Sequence, residues 1–181
     1  MPFAQTWTEE LVAEWLQLCG YVVEVGLPVS VSKVGGRFCA DVVGARTDGT
    51  TLEIVHAEVG SLVEGKQATI DTLQKKFSAE NQVSIEQYFR KRFGFTGNTK
   101  FTKTYVASYC TPSMVTTARE IGIDFHKLED FIGTHILPAI AEWKANPPQQ
   151  SKTRGAYISL PEAHWLLKLI DFLSYNELLK L

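Results

Sequence analysis

Asp41, His56 and Glu58 are polar residues inside two mostly apolar runs, 37–47 and 50–59. A buried carboxylate costs free energy unless it is paired or bound to a metal ion. Two converging carboxylates can hold Mg²⁺ or Mn²⁺, and such an ion with water and a substrate phosphate is what phosphodiester hydrolysis requires. The same pattern is also compatible with a sheet that has one solvated face.

The Asp48-Gly49 pair between the two runs is a strong signal for a hairpin turn, since both central positions of a type I′ turn need positive φ. If the loop has two residues, Asp41 lies opposite His56 and shares a face with Glu58, because side chains alternate with a period of two. Opposed Cβ atoms are about 4.5–5.5 Å apart and diagonal ones about 7–8 Å. The carboxylates are then close enough to reach one cation.

Helices and further strands must support this hairpin. The capping box from Thr6 to Glu9 begins a first helix, which ends near Gly20. Residues 21–34 predict a strand, in which Pro28 indicates a bend or an edge, and Gly35-Gly36 predicts a second turn. The remaining predicted elements are helices over 66–77, 84–93 and 112–121 and strands over 104–109 and 123–125. The predicted order is α-β-β-β-α-(α)-β-α-β.

The length of 181 residues favours one globular domain over two. We assign residues 1–145 to this domain, including an amphipathic helix over 127–145 that Pro138 kinks. Residues 146–156 have the composition of a linker. Residues 157–181 predict a C-terminal helix whose apolar stripe packs on the body or on a second subunit, which would make a homodimer.

The net charge of −2 gives no general attraction to nucleic acid, but residues 66–103 carry eight basic and three acidic side chains. Such a band is typical either of a solvated helical face or of a surface that faces DNA phosphates. In the second case the residues that contact DNA are Lys75, Lys76, Arg90, Lys91, Arg92, Lys100 and Lys103.

Cys19, Cys39 and Cys110 are odd in number and lack C-x-x-C spacing, so they indicate neither a disulfide framework nor a zinc site. A reducing, cytoplasmic location fits them. The first residues lack the basic and apolar regions of a signal peptide, so none is expected, and no apolar run approaches the roughly 18 residues that span a bilayer. It also has no P-loop, no G-x-G-x-x-G and no G-x-S-x-G, which excludes the commonest nucleotide-binding and acyl-transfer motifs.

The stretch from Gly35 to Gly60 resembles the "G-R-x-x-x-D-V-V-G … D-G … L-x-I-x-E-x-K" core of the restriction-endonuclease-like PD-(D/E)xK nucleases. A helix precedes it and a helix and a strand follow it, so the resemblance covers residues 7–110. It implies an α/β fold with an α-β-β-β-α-β core, in which helices flank a mixed central sheet, extended here by the C-terminal helix. It also implies cleavage of DNA with Mg²⁺ or Mn²⁺.

By this resemblance, Asp41 and Glu58 bind the catalytic metal ion. The lysine of E-x-K, which positions the attacking water in the family, is replaced by Gly60. Some members of the family carry this lysine on the following helix, where Lys66 is the nearest candidate. A solvent-exposed role in the first helical turn is the alternative for Lys66.

The resemblance suggests two further site residues. His56 lies two residues before Glu58 on the same predicted face, so it is a candidate extra ligand or proton carrier, although a packed structural histidine is the alternative. Many relatives add an acidic residue from the first helix to the metal site. We assign this role to Glu14, because it lies near the apolar face of that helix.

Three functions therefore stay open. The first is a metal-dependent endonuclease that hydrolyses DNA phosphodiester bonds. The second is a nuclease-derived module that has lost catalysis and binds DNA or protein, which the glycine at position 60 favours. The third is an oligomeric accessory protein that assembles through the C-terminal helix.

Overall fold

A five-stranded mixed sheet lies at the centre of the computed structural model, which describes residues 4–31, 37–62, 66–147 and 159–179. The strands lie in chain order across the sheet; β1, β2 and β3 are antiparallel, whereas β3, β4 and β5 are parallel. Their bounds are β1 Val22–Val31, β2 Arg37–Thr47, β3 Thr51–Leu62, β4 Asn98–Cys110 and β5 Asp124–Lys127.

Helices cover both faces of the sheet. Those of the described residues are α1 Trp7–Leu18, α2 Lys66–Lys76, α3 Ala79–Phe93, α4 Pro112–Glu120, α5 Leu128–Phe131, α6 Leu137–Ala145 and α7 Trp165–Tyr175. One core cluster joins α1, α5, α6 and α7 to the face that carries Val55 and Ala57. Two further clusters join α2, α3 and α4 to the opposite face. The predicted α/β class, mixed sheet and C-terminal helix are confirmed.

The start of α1 follows from its capping residues. The Thr6 hydroxyl accepts the Glu9 N–H at 3.2 Å, and the Glu9 carboxylate accepts the Gln5 N–H at 2.7 Å. The first bond satisfies an amide donor that the first helical turn leaves without a partner, and the second ties the residue before the cap to the helix. The predicted capping box is confirmed.

Several predicted boundaries are wrong. Strand β4 begins at Asn98 instead of residue 104. The prediction missed its first half because residues 98–103, with two threonines and two lysines, lack an apolar run. Helix α3 begins at Ala79, where Ser78 caps it, instead of residue 84. Pro138 lies in the first turn of α6, directly after a π-helical turn, Ile132–Ile136. Such a turn tolerates the backbone hydrogen bond that proline cannot make, and the predicted kink stays a prediction.

The β2–β3 hairpin has a different register from the predicted one. His56 pairs with Val43, not with Asp41, so the register is displaced by two residues. The Asp48 carboxylate accepts the N–H groups of Thr50 and Thr51, each at 2.8 Å, and residues 48–51 form a longer turn. A displacement of two residues leaves every side chain on its predicted face, because the alternation has the same period.

Strand β1 is an edge strand, and its register with β2 shifts between Pro28 and Ser30, as the proline indicated. The predicted turn at Gly35-Gly36 lies outside the described residues. So does most of the predicted linker, since residues 148–158 are not described. No helix of the described ranges is both long and apolar enough to cross a bilayer.

Helix α7 packs on the body with part of its apolar surface. Leu166, Leu167 and Ile170 are buried in the cluster that contains α1. Trp165 and Phe172 stay exposed. The homodimer stays a prediction.

Candidate active site

Asp41 of β2 and Glu58 of β3 converge on the side-chain ammonium of Lys76, the last residue of α2. The Lys76 Nζ lies 3.3 Å from Asp41 Oδ2 and also contacts Glu58 Oε2. The Glu58 side chain is fully buried, whereas those of Asp41 and Lys76 are each 23% exposed. The cluster therefore has a buried wall on β3 and an opening to solvent at Asp41 and Lys76.

Strand pairing positions the two carboxylates. The last pair of the hairpin, Val42 with Ala57, directly precedes the point where Asp41 and Glu58 stand on adjacent strands. The Val59 N–H donates to Asp41 Oδ2 at 3.0 Å, which fixes the aspartate carboxylate against β3. Both side chains point towards the α2 side of the sheet, in agreement with the predicted shared face.

Lys76 is directed at the site by the way α2 ends. Thr69, Leu73 and Phe77 are buried, and Lys76 continues the same helical stripe three residues after Leu73. The Asn81 side chain donates to the carbonyl of Lys76 at 2.9 Å, which holds the end of the helix in place. The charge pattern predicts Lys76 as a residue that contacts DNA, whereas its spacing from Thr69 and Leu73 is the signal that identifies it as a site residue.

His56 is a partner of Glu58. Its Nε2 lies 2.7 Å from Glu58 Oε1, and the imidazole is buried with its centroid 4.8 Å from that of Phe77. The histidine thus holds one carboxylate oxygen, while Lys76 contacts the other. Because His56 is buried and bonded to Glu58, it can act as a positioning group for that carboxylate. Its role as an additional ligand or proton carrier stays a prediction.

The charges of the site have opposing effects on its two acids. Burial raises the pKa of Glu58, whereas the His56 hydrogen bond and the Lys76 charge lower it. The lowering is larger, so the pKa of Glu58 lies below its usual range. Burial and the nearby Glu58 charge raise the pKa of Asp41 to about 6, although Lys76 opposes them. Burial lowers the pKa of Lys76, but the two carboxylates raise it above the usual value. At neutral pH the site holds two carboxylates and one ammonium.

Gly60, where the motif has lysine, lies against a tyrosine. Its φ of 154° is one that other residues rarely adopt, and a Cβ there would lie 3.1 Å from the Tyr105 hydroxyl. Tyr105 pairs with Glu58 in the parallel β3–β4 ladder and is buried. Burial raises the pKa of Tyr105 to about 12, so the phenol is neutral.

Lys66 begins the eleven-residue helix that Lys76 ends, so their backbones lie roughly 15 Å apart. The Lys66 side chain lies outside the described part of the chain, and its catalytic role stays a prediction. The ammonium that contacts Asp41 and Glu58 belongs to Lys76.

Glu14 does not join the cluster. Its carboxylate oxygens accept the N–H groups of Leu166 at 3.2 Å and Leu167 at 2.9 Å, at the start of α7. Within the described residues, no group of three or more His, Cys, Asp or Glu side chains is arranged to hold a metal ion. The prediction of Glu14 as a metal ligand is therefore wrong; α1 lies on the face of the sheet away from α2.

We expect Glu14→Ala to lower the free energy of unfolding by about 2–4 kcal/mol, because two buried amide groups lose a charged acceptor at a helix N-terminus. Urea unfolding at pH 7 measures the loss. Glu10→Ala, in the same helix but half-buried, is the control and should cost less than about 1 kcal/mol. Equal losses in the two variants would contradict the capping role of Glu14.

Most of the predicted DNA-contacting residues have acidic partners. Lys75, Lys91 and Lys100 are exposed, and Lys103 is partly buried. The ion pairs beyond the site are Arg90 with Glu86 at 2.8 Å, Arg92 with Glu24 at 2.6 Å and Lys100 with Glu53 at 3.6 Å. The positive charge of this band is therefore partly neutralised.

Comparison of the sequence with models of known protein families finds no match, and comparison with curated proteins finds none either.

Proposed function

We propose that this protein is a metal-dependent nuclease that hydrolyses phosphodiester bonds in DNA. The observation that carries the proposal is the convergence of Asp41 and Glu58, from adjacent strands, on a single cation, the Lys76 ammonium. Paired carboxylates beside a lysine can hold a divalent ion and stabilise negative charge, and both serve the hydrolysis of a phosphodiester.

The topology supports a restriction-endonuclease-like core. A helix precedes the antiparallel strands β1, β2 and β3, and β4 returns parallel to β3 after two helices. The carboxylates lie on the second and third strands, as in the family that the motif resembles. The missing E-x-K lysine is replaced, in this proposal, by Lys76 from the following helix.

The two carboxylates fit a hard divalent ion such as Mg²⁺ or Mn²⁺. Their oxygen atoms already contact one positive centre, and Mg²⁺ is commonly held by one or two carboxylates while it keeps several waters. Asp41 and Glu58 would hold the ion. When bound, such an ion polarises a phosphoryl oxygen and lowers the pKa of water.

Three side chains of the protein have separate roles beside the ion. His56 orients Glu58 and helps to keep it ionised, so one ligand is ready at neutral pH. Asp41 is partly exposed and faces the incoming substrate. The Lys76 ammonium is positioned to stabilise the negative charge that develops on the phosphate, and it can be freed from the carboxylates because its side chain is flexible.

Incubation of the wild-type chain with supercoiled and branched DNA tests the proposal. We expect nicking with Mn²⁺ or Mg²⁺, none with EDTA, and no nicking by Glu58→Gln, which keeps the size of the side chain but removes the charge. Folding of the variant is checked by circular dichroism. Cleavage that is unchanged in Glu58→Gln would exclude this site.

Restoring the family motif by Gly60→Lys is expected to destabilise the protein by about 1–3 kcal/mol without raising cleavage. The new side chain would meet the Tyr105 hydroxyl at a backbone angle that favours glycine. Thermal unfolding and the DNA assay measure the two effects. Gly94→Ala is the control for a positive-φ glycine with open space around it, and a gain of activity in Gly60→Lys would show that the lysine position is still functional.

A second candidate is an inactive binding module derived from a nuclease. The observation that favours it is that Lys76 already pairs with both carboxylates, as in a structural ion-pair network. In that case the assay would give no cleavage, and Mn²⁺ would not compete with Lys76 for the site.

A further inference from the structure

Helix α7 leaves four large, mainly apolar side chains open to solvent. Trp165 is 55% exposed, Leu169 46%, Phe172 58% and Tyr175 83%. Each follows the one before it by three or four residues, and residues at these separations are neighbours on the surface of a helix. The four side chains therefore form one continuous stripe, which we call the outer stripe of α7.

The other side of the same helix is already covered. Leu166, Leu167 and Ile170 are buried in the core cluster that α7 shares with α1 and α6. A helix that is apolar all round is normally buried on every side. The outer stripe is therefore a surface that a partner is expected to cover.

The size of the outer stripe suits a dimer. With roughly 150–250 Å² for a whole aromatic side chain, the exposed fractions leave about 400–500 Å² of apolar surface on each chain. Apolar atoms make up roughly 60% of an interface, so two stripes placed face to face imply a total buried area of about 1,500 Å². Specific protein complexes bury about 1,200–2,000 Å².

The charges beside the outer stripe do not oppose a second copy. Lys168 pairs with Glu162 at 2.7 Å and Lys144 pairs with Asp171 at 2.6 Å, both within one chain. The four residues of the stripe are uncharged. Two stripes can therefore meet without like charges facing each other at the centre of the contact.

Other parts of the chain are poorer occupants of the stripe. Residues 148–158, which precede α7 in the sequence, are mostly polar. In the described part of the chain before α7, the exposed large apolar side chains stand one to an element, so they form no second stripe: Trp7 on α1, Val22 on β1, Val83 on α3 and Tyr109 on β4. A surface that pairs with its own copy closes into a two-fold dimer.

We propose that the outer stripe of α7 is the interface of a two-fold symmetric homodimer, in which the α7 helices of two chains pack antiparallel. With the two-fold axis beside Leu169, the two Leu169 side chains face each other, and Trp165 of each chain meets Phe172 of the other. The antiparallel arrangement also brings the positive N-terminal end of each helix near the negative C-terminal end of the other.

Sedimentation velocity of the full chain tests the interface. At micromolar concentrations we expect the wild type to have the mass of two chains. Leu169→Glu should weaken the association at least about 100-fold, because each dimer loses two buried leucines and gains two facing carboxylates. Val83→Glu is the matched control, because Val83 is 52% exposed on α3, and it should leave the mass unchanged.

Mixing two variants tests the symmetry. Leu169→Lys should be monomeric like Leu169→Glu, and the two together should form a mixed dimer, because residue 169 of each chain then faces the opposite charge. Trp165→Glu and Phe172→Lys should restore each other in the same way if the helices are antiparallel. Glutamate and lysine are good helix formers, and circular dichroism checks that each variant keeps its helices.

Three results would overturn the inference. A wild-type chain that stays monomeric would leave a different protein as the occupant of the stripe. A dimer that Leu169→Glu does not weaken would lie at another surface. Monomeric Leu169 variants that do not restore each other would exclude the two-fold contact, and failure of the Trp165 and Phe172 pair alone would exclude the antiparallel direction.

The dimer goes beyond the proposed nuclease and does not depend on it. Helix α7 lies on the α1 side of the sheet, whereas Asp41 and Lys76 lie on the α2 side, so pairing leaves the candidate site of both chains open. A dimer formed by a chain that cleaves no DNA would refute the nuclease and leave the interface intact. Cleavage by a monomeric wild-type chain would refute the interface alone.

Discussion

Replacement of Lys76 by methionine is expected to lower metal-dependent DNA cleavage by about 10²–10³-fold, because the variant loses the ammonium that contacts both Asp41 and Glu58. Methionine keeps the length of the side chain and suits a half-buried position. Initial rates of plasmid nicking under saturating Mn²⁺ measure the effect. Binding of Mn²⁺, followed by calorimetry, should be kept or strengthened, since a competing positive charge is gone.

Two other lysines of α2 sharpen this experiment. Lys75→Met removes an exposed charge next to the site and should reduce cleavage less than tenfold. Lys66→Met tests the residue that the sequence favoured, at the other end of α2. A large loss in Lys66→Met together with a small loss in Lys76→Met would show that the ion pairs of Lys76 are purely structural.

Asp41→Asn is expected to abolish cleavage and, at the same time, to stabilise the metal-free protein. Activity should fall by at least about 10²-fold, because the variant loses one of two charged metal ligands. Stability should rise by about 1–3 kcal/mol at pH 7.5, since an asparagine avoids the burial of a charge beside Glu58 but can still accept the Val59 N–H. Opposite effects on stability and activity are typical of functional sites.

The stabilisation by Asp41→Asn should depend on pH. The pKa of Asp41 is about 6 in the folded protein against 3.8 ordinarily, so the folded state holds the proton more tightly. Ionised Asp41 therefore costs stability fully above about pH 6, partly between pH 6 and 4, and not at all below. The difference between variant and wild type in urea unfolding, measured in EDTA, should shrink as the pH falls through this window.

Asp48→Asn is the control with the opposite sign. Hydrogen bonds from the Thr50 and Thr51 N–H groups lower the pKa of Asp48. Loss of the Asp48 charge should therefore reduce the stability of the protein near neutral pH and have no effect in strong acid. If Asp41→Asn also destabilised the protein at pH 7.5, the pairing with Lys76 would outweigh the desolvation and repulsion that we assign to Asp41.

The face of each side chain in the hairpin could be predicted from the sequence, although its register could not. Alternation along a strand is a local property, so Asp41, His56 and Glu58 were placed together correctly. The register depends on the turn, and the Asp48 side chain forms a longer turn than the Asp-Gly pair suggested. The error of two residues in the register left each side chain on its predicted face, because side chains alternate with a period of two residues.

The residues contributed by distant helices could not be predicted in the same way. Lys76 reaches the site only because α2 packs Leu73 and Phe77 on the sheet, and the crossing of a helix over a sheet depends on the whole core. Glu14 was correctly placed at the buried face of α1, but its partner lies on α7, and no local pattern connects the two helices.

The bond between Glu14 and α7 also bears on how the chain folds. Leu166 and Leu167 follow Glu14 by 152 and 153 positions, so the first helix leaves the ribosome long before its partner exists. Until then the carboxylate and the apolar surface around Leu11 and Val12 are open to water and to other molecules. Closure of so long a loop is slow compared with local pairing of the hairpin strands. The nascent chain is thus most prone to aggregate in the interval before α7 docks.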